Sequence, residues 1–374
     1  MAGIYIHIPF CKQACYYCDF HFSTSLKKKD DLLSCLIKEL EIRRAELENK
    51  QVESVYFGGG TPSLLTSIEI IALLDTIGSN YMLIDTPEIT LEANPDDLDY
   101  VKLVDLKNTG INRLSIGIQS FYNDDLKAMN RAHNAHEAHK CLNEASKHFS
   151  NITIDLIYGI PGMSVDKWRR NLEQTFNYEV SHISSYALTV EPKTALANFI
   201  EKGKYPPVDD ELALKHFQEL VALTNEKGYI HYEISNFGKE GFFSKHNSNY
   251  WKGIPYLGIG PSAHSYNGDQ RSWNINNNSK YIEAINNDQL PQQNEVLSIN
   301  DRFNELLLIG LRTIWGVDLK AIEIQFGLDF VNHLKFSAEA LIEQEMIQIN
   351  KGILTLTSKG KFLADGIASQ LFMI

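Results

Sequence analysis

The sequence predicts an α/β protein, a parallel sheet curved into an open, partial barrel, followed by a small α+β domain. Three observations predict it. Short β-rich runs alternate with stretches of helical spacing, at intervals of roughly 30–40 residues. Polar and Gly-rich words fall at the same end of successive strands. After the polar stretch 286–298 the pattern changes to helices and then two short β-like runs.

The strand candidates are IYIHI (4–8), SVYFG (54–58), EITLEA (88–93), RLSIGIQ (113–119), ITIDLIYG (152–159) and HISSYALTV (182–190). Helical spacing covers 30–49, 67–79, 97–108, 134–148 and 164–178. Strand, helix, strand in this order is the βαβ unit, whose crossover makes consecutive strands parallel. Several runs are almost continuously apolar, which predicts a sheet covered on both faces. Cys11–Cys18 follow the first strand, GGGTP (58–62) the second, EANP (92–95) the third and Gln119–Ser120 the fourth. Asp155 and YGIPG (158–162) lie in or after the fifth. Each word alone suits an ordinary βα turn. All five at one strand end point to a site at the mouth of the barrel.

With 374 residues, 44% hydrophobic and 22% charged, the chain has the composition of a globular protein. Its net charge of −12 argues against a nucleic-acid partner, because phosphate backbones are held by clustered Lys and Arg. Lys27–Lys29, the one basic run, precedes a helix and suits a solvated face. The first residues show no secretory pattern, and no run of about 18 apolar residues occurs, so a cytoplasmic protein is expected, with peripheral membrane association left open. Five cysteines do not make a disulfide framework.

Cys11, Cys15 and Cys18 form C-x3-C-x2-C. Thiolates are soft ligands that select zinc, copper(I) or iron–sulfur clusters. A zinc site would need a fourth ligand, with His7, His21 or Asp19 the local candidates. The spacing suits a loop wrapped around one corner of an iron–sulfur cubane, leaving one iron open; zinc and unligated thiols stay as alternatives. Cys35 and Cys141 lie inside helical patterns and suit small buried hydrophobes.

C-x3-C-x2-C after a first strand, with Tyr17 before the last Cys, resembles the radical S-adenosylmethionine (SAM) superfamily. The words YIHIPFC, YFGGGTPS, LEANP, LSIGIQSF, NRAH, DLIYGIPG and YALTVEP are similar to its coproporphyrinogen dehydrogenase-like branch, called HemN and HemW. The resemblance implies a radical SAM partial (βα)6 barrel over 1–285, carrying a haem-binding extension. It implies a winged-helix-like C-terminal domain over 295–374. Cys11, Cys15 and Cys18 would hold a 4Fe-4S cluster whose remaining iron takes SAM. Tyr5, Gly59, Gly60, Thr61, Glu92, Gln119, Arg131 and Asp155 would contact SAM. Glycine at 59 and 60 would let backbone N–H groups come close to it.

Two readings compete within the branch. One is an oxygen-independent coproporphyrinogen III dehydrogenase. The other is a haem chaperone, with haem and haem-accepting proteins at the membrane surface as partners and a homodimer as one option. The dehydrogenases add a fourth Cys where this chain has Phe20, and carry an N-terminal extension that the short stretch before Cys11 is not expected to provide. HNSNYW (246–251) resembles a word typical of the HemW-like chaperones. His246 is therefore the expected haem ligand, with Tyr250 and Trp251 as flat surfaces for a macrocycle and His264 a second candidate. A structural, hydrogen-bonded His246 is the competing reading. These departures favour the chaperone. A SAM-dependent methyltransferase is a third reading, which no additional cysteine or domain supports. Acidic residues spread through the C-terminal helices, such as Glu323, Glu339, Glu343 and Glu345, favour capping or partner docking there over DNA binding.

Overall fold

The computed structural model describes all of residues 1–374. At its centre, six parallel strands pair in sequence order: β1 (Ala2–Ile8), β2 (Val52–Gly59), β3 (Leu83–Ala93), β4 (Arg113–Gln119), β5 (Ile152–Tyr158) and β6 (His182–Ala187). The crossovers run through α1 (Lys29–Ile42), α2 (Ser67–Asn80), α3 (Tyr100–Asn108), α4 (Asn123–Ala128), α5 (Ala135–His148) and α6 (Val165–Phe176). Capping boxes start two of them: Thr66 with Glu69 opens α2, and Asn134 with Glu137 opens α5. The expected helix at 30–49 ends at Ile42, and a single 3-10 turn covers Arg44–Leu47. The short α4 had no periodic signal to announce it.

The strands are covered on both faces, as expected, with six of the seven residues buried in each of β1 and β5, but the inner face carries polar side chains. Ile4, Ile6 and Ile8 are fully buried in the core shared with the helices. Gly3, Tyr5 and His7 take the other face. The register carries that inner row to Ser54, Tyr56 and Gly58, then to Thr90, Ser115, Thr153 and Asp155, and on to His182 and Ser184. Helices cover only the outside of a barrel, so its inner face closes on side chains that can be polar when a ligand site occupies the lumen.

The sheet does not stop at six strands. After α7 (Ala195–Glu201) and α8 (Asp210–Glu226), β7 (Ile230–Glu233) and β8 (Asn236–Gly238) extend it antiparallel beyond β6. After α9 (Lys245–Trp251), β9 (Tyr256–Ile259) pairs parallel with the free edge of β1. Beyond it β10 (His264–Tyr266), β11 (Gln270–Asn274) and, after α10 (Asn278–Asn286), β12 (Gln292–Val296) continue antiparallel, giving one sheet of twelve strands. β12 lies inside the polar stretch 286–298. It is an edge strand held by its ladder to β11, so it needs no apolar face, and no pattern announces it.

The C-terminal part runs α11 (Ile299–Leu311), β13 (Val317–Asp318), α12 (Leu319–Phe326), α13 (Leu328–Glu343), β14 (Ile347–Asn350), β15 (Ile353–Leu356) and α14 (Ala364–Gln370). Its sheet has the order β13-β15-β14, the winged-helix arrangement, around a separate core that includes Phe303, Leu307, Leu334 and Leu354. No helix is long and apolar enough to cross a membrane.

Candidate functional site

The loop that carries the thiols is pinned at both ends. Cys11 N–H donates to Ser23 O at 3.1 Å and Ser23 N–H to Pro9 O at 2.9 Å. Its middle is tied to the NRAH word between α4 and α5. The Gln13 amide donates to Asn130 O and Oδ1 at 3.0 and 2.9 Å, and Asn130 Nδ2 to Ala14 O at 2.7 Å. Asn130 adopts φ 56°, a left-handed conformation that Asn tolerates and a β-branched residue does not.

Cys11, Cys15 and Cys18 all line one cavity of about 430 Å³ at the mouth of the barrel, and Gly59, Gly60, Thr61, Glu92, Gln119, Arg131 and Asp155 line it with them. Ten of the twelve residues expected from the sequence therefore meet in one place. No three His, Cys, Asp or Glu side chains are gathered closely enough for a single metal ion, so the thiols share a wall without meeting at a point. Burial pushes the Cys18 thiol up to about 12 and raises Cys11, which means that loading a metal here releases protons.

Glu92 and Asp155, two of the carboxyls that line this cavity, have no salt-bridge partner. Glu92 accepts from Tyr56 Oη at 2.8 Å and from Gly59 N–H at 3.3 Å, and burial raises its pKa. Asp155 accepts from Ser115 Oγ at 3.1 Å. Burial first and the neighbouring Glu92 second lift it from 3.8 to about 7. Arg131 faces both ends of the site. Nη1 stands 3.4 Å from Cys15 Sγ and from Tyr17 Oη, Nη2 donates to Asn94 Oδ1 at 2.7 Å and Gly117 O at 2.9 Å, and its buried Nε has no partner. Gln119, at φ 65° beside a register shift in β4, is turned toward the cavity by that irregularity. Three thiols on one wall, two unpaired buried carboxyls and a guanidinium with an orphaned N–H fit a cluster with an open iron and a zwitterionic, sulfonium-bearing ligand.

The glycines of GGGTP serve a purpose other than the expected one. Gly60 N–H donates to Ile8 O at 2.9 Å and Thr61 N–H to Phe10 O, so neither is free for a ligand. A Cβ on Gly60 would lie 2.6 Å from Phe10 O, and one on Gly59, at φ 104°, 2.5 Å from the His7 ring. They let β2 close onto the end of β1 just before Cys11. Gly117 is the glycine that makes room for the site: a Cβ there would lie 2.9 Å from Gln119 Nε2 and 3.0 Å from Arg131 Nη2. A glycine inside the strand word LSIGIQ was the available signal.

Tyr5 and His246 do not line this cavity. His246 is 2% exposed, and burial pushes its pKa down to about 3. Its Nδ1 pairs with Ser54 Oγ at 2.9 Å and its Nε2 with Tyr250 Oη at 2.8 Å. With both nitrogens engaged inside the barrel, His246 has the arrangement of the structural, hydrogen-bonded histidine that the sequence also allowed. Both partners lie far from it in sequence or on the next helical turn, and only folding brings them together.

A second, larger cavity of about 830 Å³ lies between the sheet extension and the C-terminal part. Tyr5, His7, His21, Tyr250, Trp251 and His264 line it from one side, and Arg302, Glu305, Ile309 and Trp315 from the other. Asp19 and Phe20, on the thiol loop, line both cavities. Helix α9 also faces both, with Asn247 toward the first and Tyr250 and Trp251 toward the second. Between them Tyr56 and His246 stack at 5.0 Å, and Tyr5 lies 6.1 Å from Tyr56. Sequence reasoning missed this chamber as a unit, because half of its wall belongs to the C-terminal part.

Residues 5–174 match the model of the radical SAM superfamily and 297–363 that of the HemN C-terminal domain. The chain is 34% identical to the haem chaperone HemW of Bacillus subtilis, over 98% of each chain. It is 32% identical to HemW of Mycobacterium tuberculosis, covering 99% of this chain and 94% of that one. It is also 32% identical to the mouse mitochondrial radical S-adenosyl methionine domain-containing protein 1, with 96% and 83% covered. Among solved structures it resembles coproporphyrinogen III oxidase (HemN) from Escherichia coli, with a TM-score of 0.86 at 24% identity, covering 100% of this chain and 90% of that one.

Proposed function

Because the chain belongs to the HemW family of radical SAM proteins, we propose that it is a haem chaperone, which binds haem and hands it to haem-requiring acceptor proteins in the cytoplasm or at the membrane surface. The observation that carries this reading is the second chamber. A porphyrinogen undergoing radical decarboxylation must lie against SAM inside the thiol cavity, because hydrogen abstraction needs near contact. Cargo has no such requirement. The chamber of about 830 Å³ offers a large aromatic-walled space beside the thiol site rather than in front of it, within the roughly 300–1,000 Å³ range of small-molecule sites.

In the mouth cavity Cys11, Cys15 and Cys18 would hold the cluster, and the cluster with SAM supplies one-electron reductive chemistry when both are bound. Glu92 and Asp155 would face the positive groups of SAM, and Arg131 its carboxylate. Tyr17 and Asn94 hold the Arg131 fork in place. Tyr5 lies on the other side of the aromatic partition, stacked against Tyr56. The loop spends its last positions on Asp19 and Phe20, and Phe20, 66% exposed, presents a ring where the two cavities meet.

The test is anaerobic reconstitution with iron and sulfide, followed by two assays on the same protein. Haemin titration is expected to give a saturable Soret band, and incubation with SAM, reductant and coproporphyrinogen III is expected to give no protoporphyrinogen. Protoporphyrinogen formation at catalytic turnover would replace this reading with the dehydrogenase. Cys15→Ala is expected to lose iron and labile sulfide, since one cubane corner would lack its thiolate.

A further inference from the structure

Resting on the haem reading, we propose that His264 is the axial ligand of the haem iron in the larger chamber, and that Lys252 takes one of the propionates. Three histidines line that chamber, and they differ in how far their nitrogens are engaged. His7 is buried, with Nε2 2.9 Å from His21 O and Nδ1 3.2 Å from Tyr5 Oη. His21 has one nitrogen engaged, Nε2 at 2.6 Å from Asn278 Oδ1, and only Nδ1 is open. The His264 ring makes no hydrogen bond from either nitrogen and stacks on Trp273 at 6.0 Å and 26°. Metal binding by imidazole needs a neutral ring with one nitrogen free. The surrounding wall and Arg271 lower the pKa of His264, so the ring is neutral at pH 7.

The backbone fixes where that ring stands. His264 opens β10, a short strand between β9 and β11. A Cβ at Gly258 of β9 would lie 2.0 Å from His264 O, so the two strands cross at glycine contact distance. The rest of the wall suits a flat, largely apolar ligand with acidic tails. Tyr250, Trp251, Tyr256 and Trp315 supply aromatic surface. Three permanent cations line the chamber. Arg271 is paired with Glu305 at 2.6 Å and Arg302 with Asp269 at 2.9 Å. Lys252 is exposed, has no carboxylate partner and lies 4.4 Å over the Trp315 ring, on the C-terminal side of the chamber. A carboxylate arriving there meets an unneutralised ammonium.

The experiment is haemin titration of the full chain, followed through the Soret region, for wild type, His264→Ala and Lys252→Ala. His264 is exposed, so His264→Ala is expected to keep the wild-type melting temperature. It is expected to shift the Soret maximum and weaken binding on the order of 10- to 100-fold. Added imidazole is expected to restore the band, which a merely structural histidine would not show. Lys252→Ala is expected to weaken binding several-fold without moving the Soret maximum. A wild type that forms the complex, with His264→Ala equal to it in Soret maximum and affinity, overturns the assignment and leaves the chaperone reading standing. A wild type that forms no saturable complex overturns that reading, and this one with it.

Discussion

Asp155 shows how much a single position in this lumen is asked to tolerate. Its carboxyl has Ser115 for a hydrogen bond but no cation, and its pKa of about 7 records the cost of charging it there. Between pH 4 and 7 the folded chain keeps a proton that the unfolded chain has released, so stability falls as pH rises through that window, by up to about 1.4 kcal/mol per pH unit. Asp155→Asn in the ligand-free protein is expected to flatten that slope, read as urea midpoints at pH 5, 6 and 7. An unchanged slope would mean that another group carries it. Asp155 was legible from its word, DLIYGIPG, whereas its unpaired state was not, because what surrounds it comes from β3, β4 and β6. The same holds for His246. The word HNSNYW was legible, but the Ser54 that occupies its Nδ1 lies 192 residues away.

Among the elements, the junction of β1, β2 and the thiol loop is where sequence and site are most tightly coupled. Ile8 and Phe10 carbonyls receive the N–H groups of Gly60 and Thr61, and Cys11 follows directly. Gly60→Ala drives a methyl into that backbone and is expected to destabilise the fold by about 1–3 kcal/mol. Because the collision pushes on the residue before Cys11, the same variant is expected to load less iron than wild type. Wild-type iron content in a destabilised Gly60→Ala would separate packing from the site. Helix α9 makes the complementary case. Its seven residues give no amphipathic stripe long enough to be read, yet it plugs His246 against β2 and sends side chains to both cavities.

At the scale of the whole molecule, the large chamber exists only while the C-terminal part stays docked. Arg312 holds that docking. Its guanidinium lies 3.0 Å from Glu233 and 2.6 Å from Asp365, and 5.0 Å over the Trp251 ring. Main-chain bonds from Ile234 N–H to Arg312 O and from Ile314 N–H to Tyr232 O, both 3.0 Å, run beside it. Glu233 is 1% exposed, so Arg312→Ala leaves a buried carboxylate without its cation. The expected loss is about 2–4 kcal/mol, scaled down from a fully buried pair because Arg312 is partly exposed. The unfolding curve followed by tryptophan fluorescence is expected to split into two transitions as the parts uncouple. A single transition at the wild-type midpoint would show that the main-chain bonds suffice.

The sequence by itself determined the parallel core, its order, the mouth as the place of chemistry and ten of the residues that line it. The core, its order and the mouth rest on short-range physics, strand and helix periodicity and turn words that fall at one strand end, while the individual residues, Arg131 above all, came from the resemblance of those words to a known family. Only the tertiary structure decided that the lumen is polar, that Gln292–Val296 joins the sheet, that His246 is sealed and His264 open, and that a second chamber exists. Each of those depends on residues far apart in the chain meeting at one surface. A local pattern shows which side chains are present, and the contacts that folding makes decide which of their atoms remain free to bind.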